Sequence, residues 1–222
     1  FLEQFEYDLG YSDYTHAELD QGVPATQFFN KQFTYRGVFN QKRRGPLSGS
    51  FGFWGMRRDY VARGEEALTP PVDQNGFAVF GLEELRYDRV RFQFGGRLEH
   101  NGYSPVGLEA RGFTGASGSA GAMLPLWQDG SFVANYMHSY RAPALEELYN
   151  HGPHPGNLAY EIGNADLRRE MADGVELSLR HQGHNLRLDT SLFRYQMHDF
   201  VYFSPTGEIE DNLPVNEYLQ AD

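Results

Sequence analysis

The chain has 222 residues, 22% of them charged and 40% hydrophobic, which fits a globular protein of one large domain or two small ones. A formal net charge of −11 argues against nucleic acid as a partner, because phosphate binding requires a basic surface. The absence of Cys excludes disulfide frameworks and thiolate zinc sites. With no run of about 18 apolar residues, the sequence predicts no membrane-spanning helix. Its 14 Tyr, 17 Phe and 25 Gly favour β structure.

Apolar and polar residues alternate with a period of two along much of the chain, which predicts β-strands. The clearest example is the segment 89–100, where Val90, Phe92, Phe94 and Leu98 share one face and Arg91, Gln93, Arg97 and Glu99 share the other. In chain order, the pattern predicts strands near 2–13, 31–40, 47–61, 76–86, 89–100, 116–125, 131–141, 171–181 and 186–199, and a last strand that starts near 216.

The links between these strands alternate in length. Short links rich in turn formers lie at 43–46, 87–88, 128–130 and 182–185. Long links cover about 14–30, 62–75, 101–115, 142–170 and 200–215. This layout is typical of bacterial outer-membrane barrels, with short turns in the periplasm and long loops outside the cell. The sequence therefore predicts an all-β fold: an antiparallel transmembrane β-barrel fragment of about ten strands.

A soluble β-sandwich that binds carbohydrate or protein is the alternative, because it shows the same alternation. Strand length favours the barrel, since most predicted strands reach the ~9–11 residues that cross a bilayer at a tilt of ~45°. Ordinary strands have only about 5–6 residues. Ten strands leave a barrel open, and unpaired backbone groups in lipid cost roughly several kcal/mol each. We therefore interpret the chain as part of a larger barrel.

Motifs in the later part of the chain resemble those of a known family. Residues 139–149 read Ser-Tyr-Arg-Ala-Pro-Ala-Leu-Glu-Glu-Leu-Tyr, and residues 160–167 read Tyr-Glu-Ile-Gly-Asn-Ala-Asp-Leu. This order resembles the barrel of TonB-dependent receptors, in which a Ser-aromatic-Arg-Ala-Pro run leads through an external loop to a Gly-Asn-x-x-Leu segment. Residues 64–71 and 195–201 match the same family. Together with the Asn-His-Gly-Pro-His run at 150–154, these motifs resemble the zinc-uptake branch of the family.

The resemblance implies energised import of a scarce nutrient across the bacterial outer membrane. External loops and a plug would capture the substrate, and the inner-membrane TonB complex, acting through the plug, would release it inward. A metal ion, zinc first, is the implied substrate, with a ferric siderophore or cobalamin as the alternative, and no cofactor is required. Residues 1–222 are expected to form one partial barrel domain that contacts outer-membrane lipid and lacks the plug and the C-terminal strands.

Two loops carry candidate metal ligands. His151 and His154 share the long link 142–170 with two glutamates, and imidazole with carboxylate suits Zn²⁺ where no thiolate is present. Glu65 and Glu66 lie in another predicted external loop and could complete the site from across the barrel mouth. The alternative is that all four are solvated loop residues, with the histidines incidental to a turn shaped by Gly and Pro.

Three other histidines, His138, His181 and His184, are interpreted as structural. His138 falls on the face expected to meet lipid, where an interfacial aromatic-belt role is favoured over metal binding. His181 and His184 flank a predicted periplasmic turn, far from the external mouth. Arg141 near the mouth either meets an anionic ligand or pairs with loop acids.

No motif predicts catalysis. The sequence has no Gly-x-Ser-x-Gly, no His-Glu-x-x-His and no phosphate-binding glycine loop. Glu83 and Glu84 are adjacent in a predicted strand, so their side chains point to opposite faces and cannot act as a carboxylate pair. The protein is therefore not expected to be an enzyme.

Overall fold

The computed structural model describes residues 1–20, 22–64 and 67–222. Within these residues, no helix is long and apolar enough to span a membrane. The described part of the chain forms strands β1 to β13, one short α-helix, α1, and a 3-10 turn at Pro155–Asn157. The bounds are β1 Leu2–Asp20, β2 Val23–Gln41, β3 Leu47–Gly64, β4 Val72–Tyr87, β5 Val90–Pro105, β6 Arg111–Trp127, β7 Gly130–Arg141, α1 Leu145–Tyr149, β8 His151–His154, β9 Ala159–Ile162, β10 Glu170–Gln182, β11 Arg187–His198, β12 Phe200–Glu210 and β13 Leu213–Ala221.

Nine strands form one antiparallel sheet in the order β1-β2-β3-β4-β5-β6-β7-β10-β11. Each strand pairs with its neighbour in the chain, except that α1, β8 and β9 are inserted between β7 and β10. This is the up-and-down order of a barrel wall. The predicted all-β, antiparallel barrel fragment is confirmed for this sheet.

The end of the chain departs from the predicted strands. A second sheet has the order β12-β13-β9-β8, and in it β13 runs parallel to β9. The prediction of a loop at 200–215 is wrong, because β12 and β13 form a hairpin that turns at Asp211 and Asn212, both with positive φ. Pro205 and Gly207 suggest a loop in the sequence, but a register shift between Pro205 and Ile209 accommodates them within the hairpin.

The short turns are confirmed and three of the long loops are shorter than predicted. Asp88 and Asp129 take the left-handed conformation (φ 52° and 62°) that tight hairpin turns require. At the opposite end, β1 and β2 stay paired up to Asp20 and Val23, so the predicted long loop at 14–30 is a strand pair. The links after β3 and β5 shrink to 65–71 and 106–110 because the strands continue past the length needed to cross a bilayer.

The two faces of the sheet match the predicted lipid and lumen faces. In β5, the apolar side chains Phe94 and Leu98 are 49% and 59% exposed and lie on the face that we call the outer face. Arg97 and Glu99 lie on the opposite face, the lumen face, and bond to each other at 2.6 Å. Residues paired across strands share a face, so the register extends this assignment over all nine strands.

The main buried cluster lies at one end of the sheet rather than along it. Its members come from strand ends and from the link 142–169, and they are Val72, Tyr103, Phe113, Leu145, Leu148, Tyr149, Leu167 and Val201. Tyr103 and Phe113 have the parity of the lumen face. The link therefore packs against the inside of the barrel wall at the end where the long connections lie, which positions the site described next.

Candidate functional site

The link from β7 to β10 is built on the Arg-Ala-Pro-Ala-Leu-Glu-Glu run. Oε2 of Glu147 accepts a 2.7 Å hydrogen bond from the backbone N–H of Ala144, so the first turn of α1 is capped by its own sequence. Arg141, the last residue of β7, pairs with Glu147 at 3.0 Å and also with the buried carboxylate of Glu170. Of the two roles expected for Arg141, the structure therefore shows pairing with nearby acids, one in the link and one at the start of β10.

Further contacts fix this link to the barrel wall. The hydroxyl of Tyr103 donates a 2.8 Å hydrogen bond to the carbonyl oxygen of Pro143. Nη2 of Arg111 donates to the carbonyl oxygen of Leu167 at 2.9 Å. Because these bonds come from β5 and β6, near the same end of the barrel wall, the link is a fixed part of the barrel mouth.

The link 65–71 meets this insertion. The backbone N–H of His151 donates to the carbonyl oxygen of Leu68 at 2.8 Å. Thr69 Oγ1 donates to Asn150 Oδ1 at 2.7 Å, and both side chains are buried. The two loops that carry the predicted ligands therefore contact each other, although Glu65 and Glu66 themselves lie outside the described residues.

A carboxylate lies buried at the centre of this contact. Glu161, in β9, is only 2% exposed and accepts hydrogen bonds from Asn157 at 2.7 Å and from Asn150 at 2.8 Å. Nδ1 of His154 lies 2.8 Å from its Oε1. Burial raises the pKa of the Glu161 carboxyl, but the hydrogen bonds from His154, Asn157 and Asn150 outweigh it and hold the pKa below its ordinary value.

A cleft of about 360 Å³ lies between the lumen face and these loops. The wall side comes from β1 to β3, and the loop side comes from the links 65–71 and 142–169. Two imidazoles and two glutamates are among its lining groups. The lining residues are Tyr14, His16, Glu18, Phe28, Asn30, Arg58, Tyr60, Leu68, Thr69, Glu146, Asn150 and His154.

The predicted ligands are only partly brought together. His154 lines the cleft, whereas His151 does not and instead packs edge-on against the ring of Tyr160 at 5.7 Å. Among the residues that the structure describes, no three His, Asp or Glu side chains lie close enough together to hold a metal ion. The four-residue metal site therefore stays a prediction.

The wall side of the cleft is not predicted from the sequence. Tyr14, His16 and Glu18 lie in the second half of β1, which the sequence suggested was a loop. Their even numbers continue the series of Gln4, Glu6 and Asp8, so the alternation, followed further, would have placed them on the lumen face. His16 stacks on Phe28 with ring centroids 4.5 Å apart, which holds its imidazole against the wall.

Two of the histidines interpreted as structural, His138 and His181, have side-chain partners. Nδ1 of His138 lies 3.0 Å from Asp173 on the outer face. Nδ1 of His181 accepts a 3.1 Å hydrogen bond from the indole N–H of Trp127, next to a short turn. Glu83 and Glu84 contact different partners, Gln41 and Arg86, as expected of adjacent residues on opposite faces.

Comparison with known proteins agrees with this architecture. Residues 2–221 match the family described as TonB dependent receptor-like, beta-barrel. A structure described as the copper transporter OprC is 18% identical, with a TM-score of 0.80 over 100% of this chain. The FrpB iron transporter from Neisseria meningitidis (F3-3 variant) is 11% identical, with a TM-score of 0.73 over 99% of this chain.

A third similar structure is a Serratia marcescens hemophore receptor, HasR, in complex with its hemophore HasA and heme. It is 13% identical, with a TM-score of 0.73 over 97% of this chain. At these identities the likeness shows the fold alone. This chain spans 39%, 36% and 40% of the length of the three proteins.

Proposed function

Because the chain belongs to the TonB-dependent receptor family and forms part of its outer-membrane barrel, we propose that the complete protein imports a metal ion, with zinc as the first candidate. Proteins of this family are transporters and not enzymes, and their barrels lie in the bacterial outer membrane. The proposal includes a plug and further strands supplied by the rest of the protein. Import would be driven by the TonB complex acting through that plug.

The observation that carries the proposal is the cleft at the mouth of the lumen. His16 and Glu18 come from the barrel wall, while Glu146 and His154 come from the inserted link. Imidazole and carboxylate are donors that suit Zn²⁺, and the chain has no thiolate to bind softer ions. A cleft that opens on the lumen is where a substrate from outside the cell would first meet the barrel.

Three similar structures support the class of substrate. Their descriptions name copper, iron and heme, each of which is a metal or a metal complex. Zinc rests on the donor set and on the Asn-His-Gly-Pro-His run. No three of these donors converge in the described residues, so the proposal requires further donors. Glu65 and Glu66, which precede the lining residues Leu68 and Thr69 in the same link, are proposed to complete the site.

Calorimetry with zinc on the complete, refolded protein tests the proposal. His154→Ala is expected to weaken binding at least tenfold, about 1.4 kcal/mol. His184→Ala, at the opposite end of the barrel, is the matched control and should change the affinity little. Affinity is also expected to fall in acidic buffer, because imidazole must lose its proton to bind a metal.

Two outcomes would contradict the zinc assignment. If a His151→Ala/His154→Ala double variant bound zinc with unchanged affinity, these histidines would not be zinc ligands, and the predicted site would be wrong. Tight binding of a ferric chelate with no response to zinc would instead assign the protein to ferric siderophore import.

A further inference from the structure

We infer that Glu161 is a positioning residue, which orients the imidazole of His154 so that its Nε2 is available to the substrate metal. This inference rests on the proposed function, because it assigns a role within the same cleft. Glu161 does not line the cleft; it lies behind His154 and acts through it. No motif or comparison assigns it a role.

The geometry fixes both the carboxylate and the ring. Asn157 and Asn150 each donate to a different oxygen of Glu161, at 2.7 and 2.8 Å, so the carboxylate cannot rotate freely. Asn150 is held in turn by Thr69 from the neighbouring loop. Oε1 is therefore presented to Nδ1 of His154 at 2.8 Å by a preorganised network.

This contact selects one tautomer of the neutral imidazole. Nδ1 of His154 lies 2.8 Å from Oε1 of Glu161 and 3.0 Å from Nδ2 of Asn157, which could donate to it in the other tautomer. Because a carboxylate only accepts hydrogen bonds and Asn157 already donates to the same Oε1, the shorter contact favours the proton on Nδ1, and Nε2 then keeps its lone pair. The hydrogen-bond contacts of His154 involve Nδ1, and none to Nε2 is found among the described residues. Carboxylate–imidazole–metal arrangements of this kind are widespread, and the carboxylate increases the basicity of the ligand.

Charge balance points to a cation as the partner of His154. The hydrogen-bond partners of Glu161 are two neutral amides and an imidazole, and none of them is Lys or Arg. Buried charges are stable in proteins when they are paired or when they coordinate metals. A metal ion bound to His154 would bring positive charge to this carboxylate.

A double-mutant cycle on the complete protein separates positioning from a purely structural role. Zinc affinity is measured calorimetrically for the wild type, Glu161→Gln, His154→Ala and the double variant. Loss of a residue that orients a metal ligand typically costs about 10–100-fold in affinity. We expect Glu161→Gln to weaken binding at least tenfold in the wild type and to have little further effect in the His154→Ala background. Equal losses in both backgrounds would overturn the inference.

Imidazole ¹⁵N shifts of histidine-labelled, metal-free protein provide a second readout that does not depend on zinc. At alkaline pH we expect the wild type to hold His154 with the proton on Nδ1, and Glu161→Gln to shift it toward the other tautomer. An unchanged tautomer ratio would overturn the positioning role. Glu208→Gln, at an exposed site in β12, is the matched control. If the wild-type protein binds no zinc, zinc is not its substrate and the proposed function is wrong. The tautomer of His154, which is measured without zinc, then still tests whether Glu161 positions His154.

Discussion

Tyr103 and Pro143 join the barrel wall to the inserted link through one buried hydrogen bond, 2.8 Å from the phenol oxygen to the carbonyl oxygen. Pro143 follows Arg141 by two residues, in the segment where β7 ends and α1 has not yet begun. The ring of Tyr103 also packs edge-on against Phe113, 6.1 Å away. This pair fixes the start of the link at the lumen face, and with it the cleft that the link covers.

Tyr103→Phe is expected to lower the free energy of unfolding by about 1–3 kcal/mol, because it leaves the carbonyl oxygen of Pro143 buried without its partner. The measurement is urea unfolding of the refolded complete protein in lipid. Tyr11→Phe is the control, since Tyr11 is 70% exposed on the outer face. Equal effects of the two substitutions would mean that the hydrogen bond does not hold the link.

Much of the barrel wall can be predicted from the sequence, because a period-two pattern reports directly on strands with one apolar and one polar face. The turns at Asp88 and Asp129 were identified from residues that tolerate a left-handed backbone. Strand ends were predicted less well. Beyond the bilayer both faces can be polar, so the alternation weakens although the strand pairing continues, as in β1 from Tyr14 to Asp20.

The core of the candidate site could not be predicted from local pattern. Glu161 is an ordinary strand carboxylate in the sequence, and its burial results from contacts with Asn150 and Asn157 in the same insertion. Likewise, Tyr103 and Phe113 interrupt the polar lumen face for no local reason. They are apolar because the inserted link covers them. Long-range packing of this kind leaves no period in the sequence.

Arg141→Ala is expected to destabilise the mouth, because it removes the partner of both Glu147 and Glu170. Breaking a buried ion pair costs about 3–5 kcal/mol. The side chain of Arg141 is 44% exposed, so solvent screening reduces the expected loss to about 2 kcal/mol. Urea unfolding checks this value. Arg57→Ala is the control because its pair with Asp73 is exposed on both sides, and no measurable change is expected.

The stability of the loop cluster should depend on pH through Glu161. Because the folded state lowers the pKa of this carboxyl below its ordinary value of 4.5, its contribution is fully present above that value. It is lost as the pH falls through the lower folded pKa. The free energies of unfolding of the wild type and Glu161→Gln are compared across an acid series, in which the other carboxyls titrate in both proteins. The difference in the free energy of unfolding between the two proteins should shrink only below pH 4.5. A difference that stays constant across the series would mean that the folded state does not lower the pKa of Glu161.

Phe94 and Gln93 provide a direct test of the two faces, because they are adjacent in β5 and point to opposite sides of the wall. Phe94 lies on the outer face and is 49% exposed, whereas Gln93 lies on the lumen face and donates to Glu84 at 3.3 Å. Arg on the lipid side of a barrel costs about 2–4 kcal/mol near the bilayer midplane, while the lumen is polar and tolerates it.

Phe94→Arg should therefore impair insertion far more than Gln93→Arg, measured as the fraction of the complete protein that reaches the heat-modifiable folded form in lipid vesicles. In Gln93→Arg, the carboxylate of Glu84 should stabilise the introduced arginine. Equal yields from the two variants would show that the assignment of lipid and lumen faces is wrong.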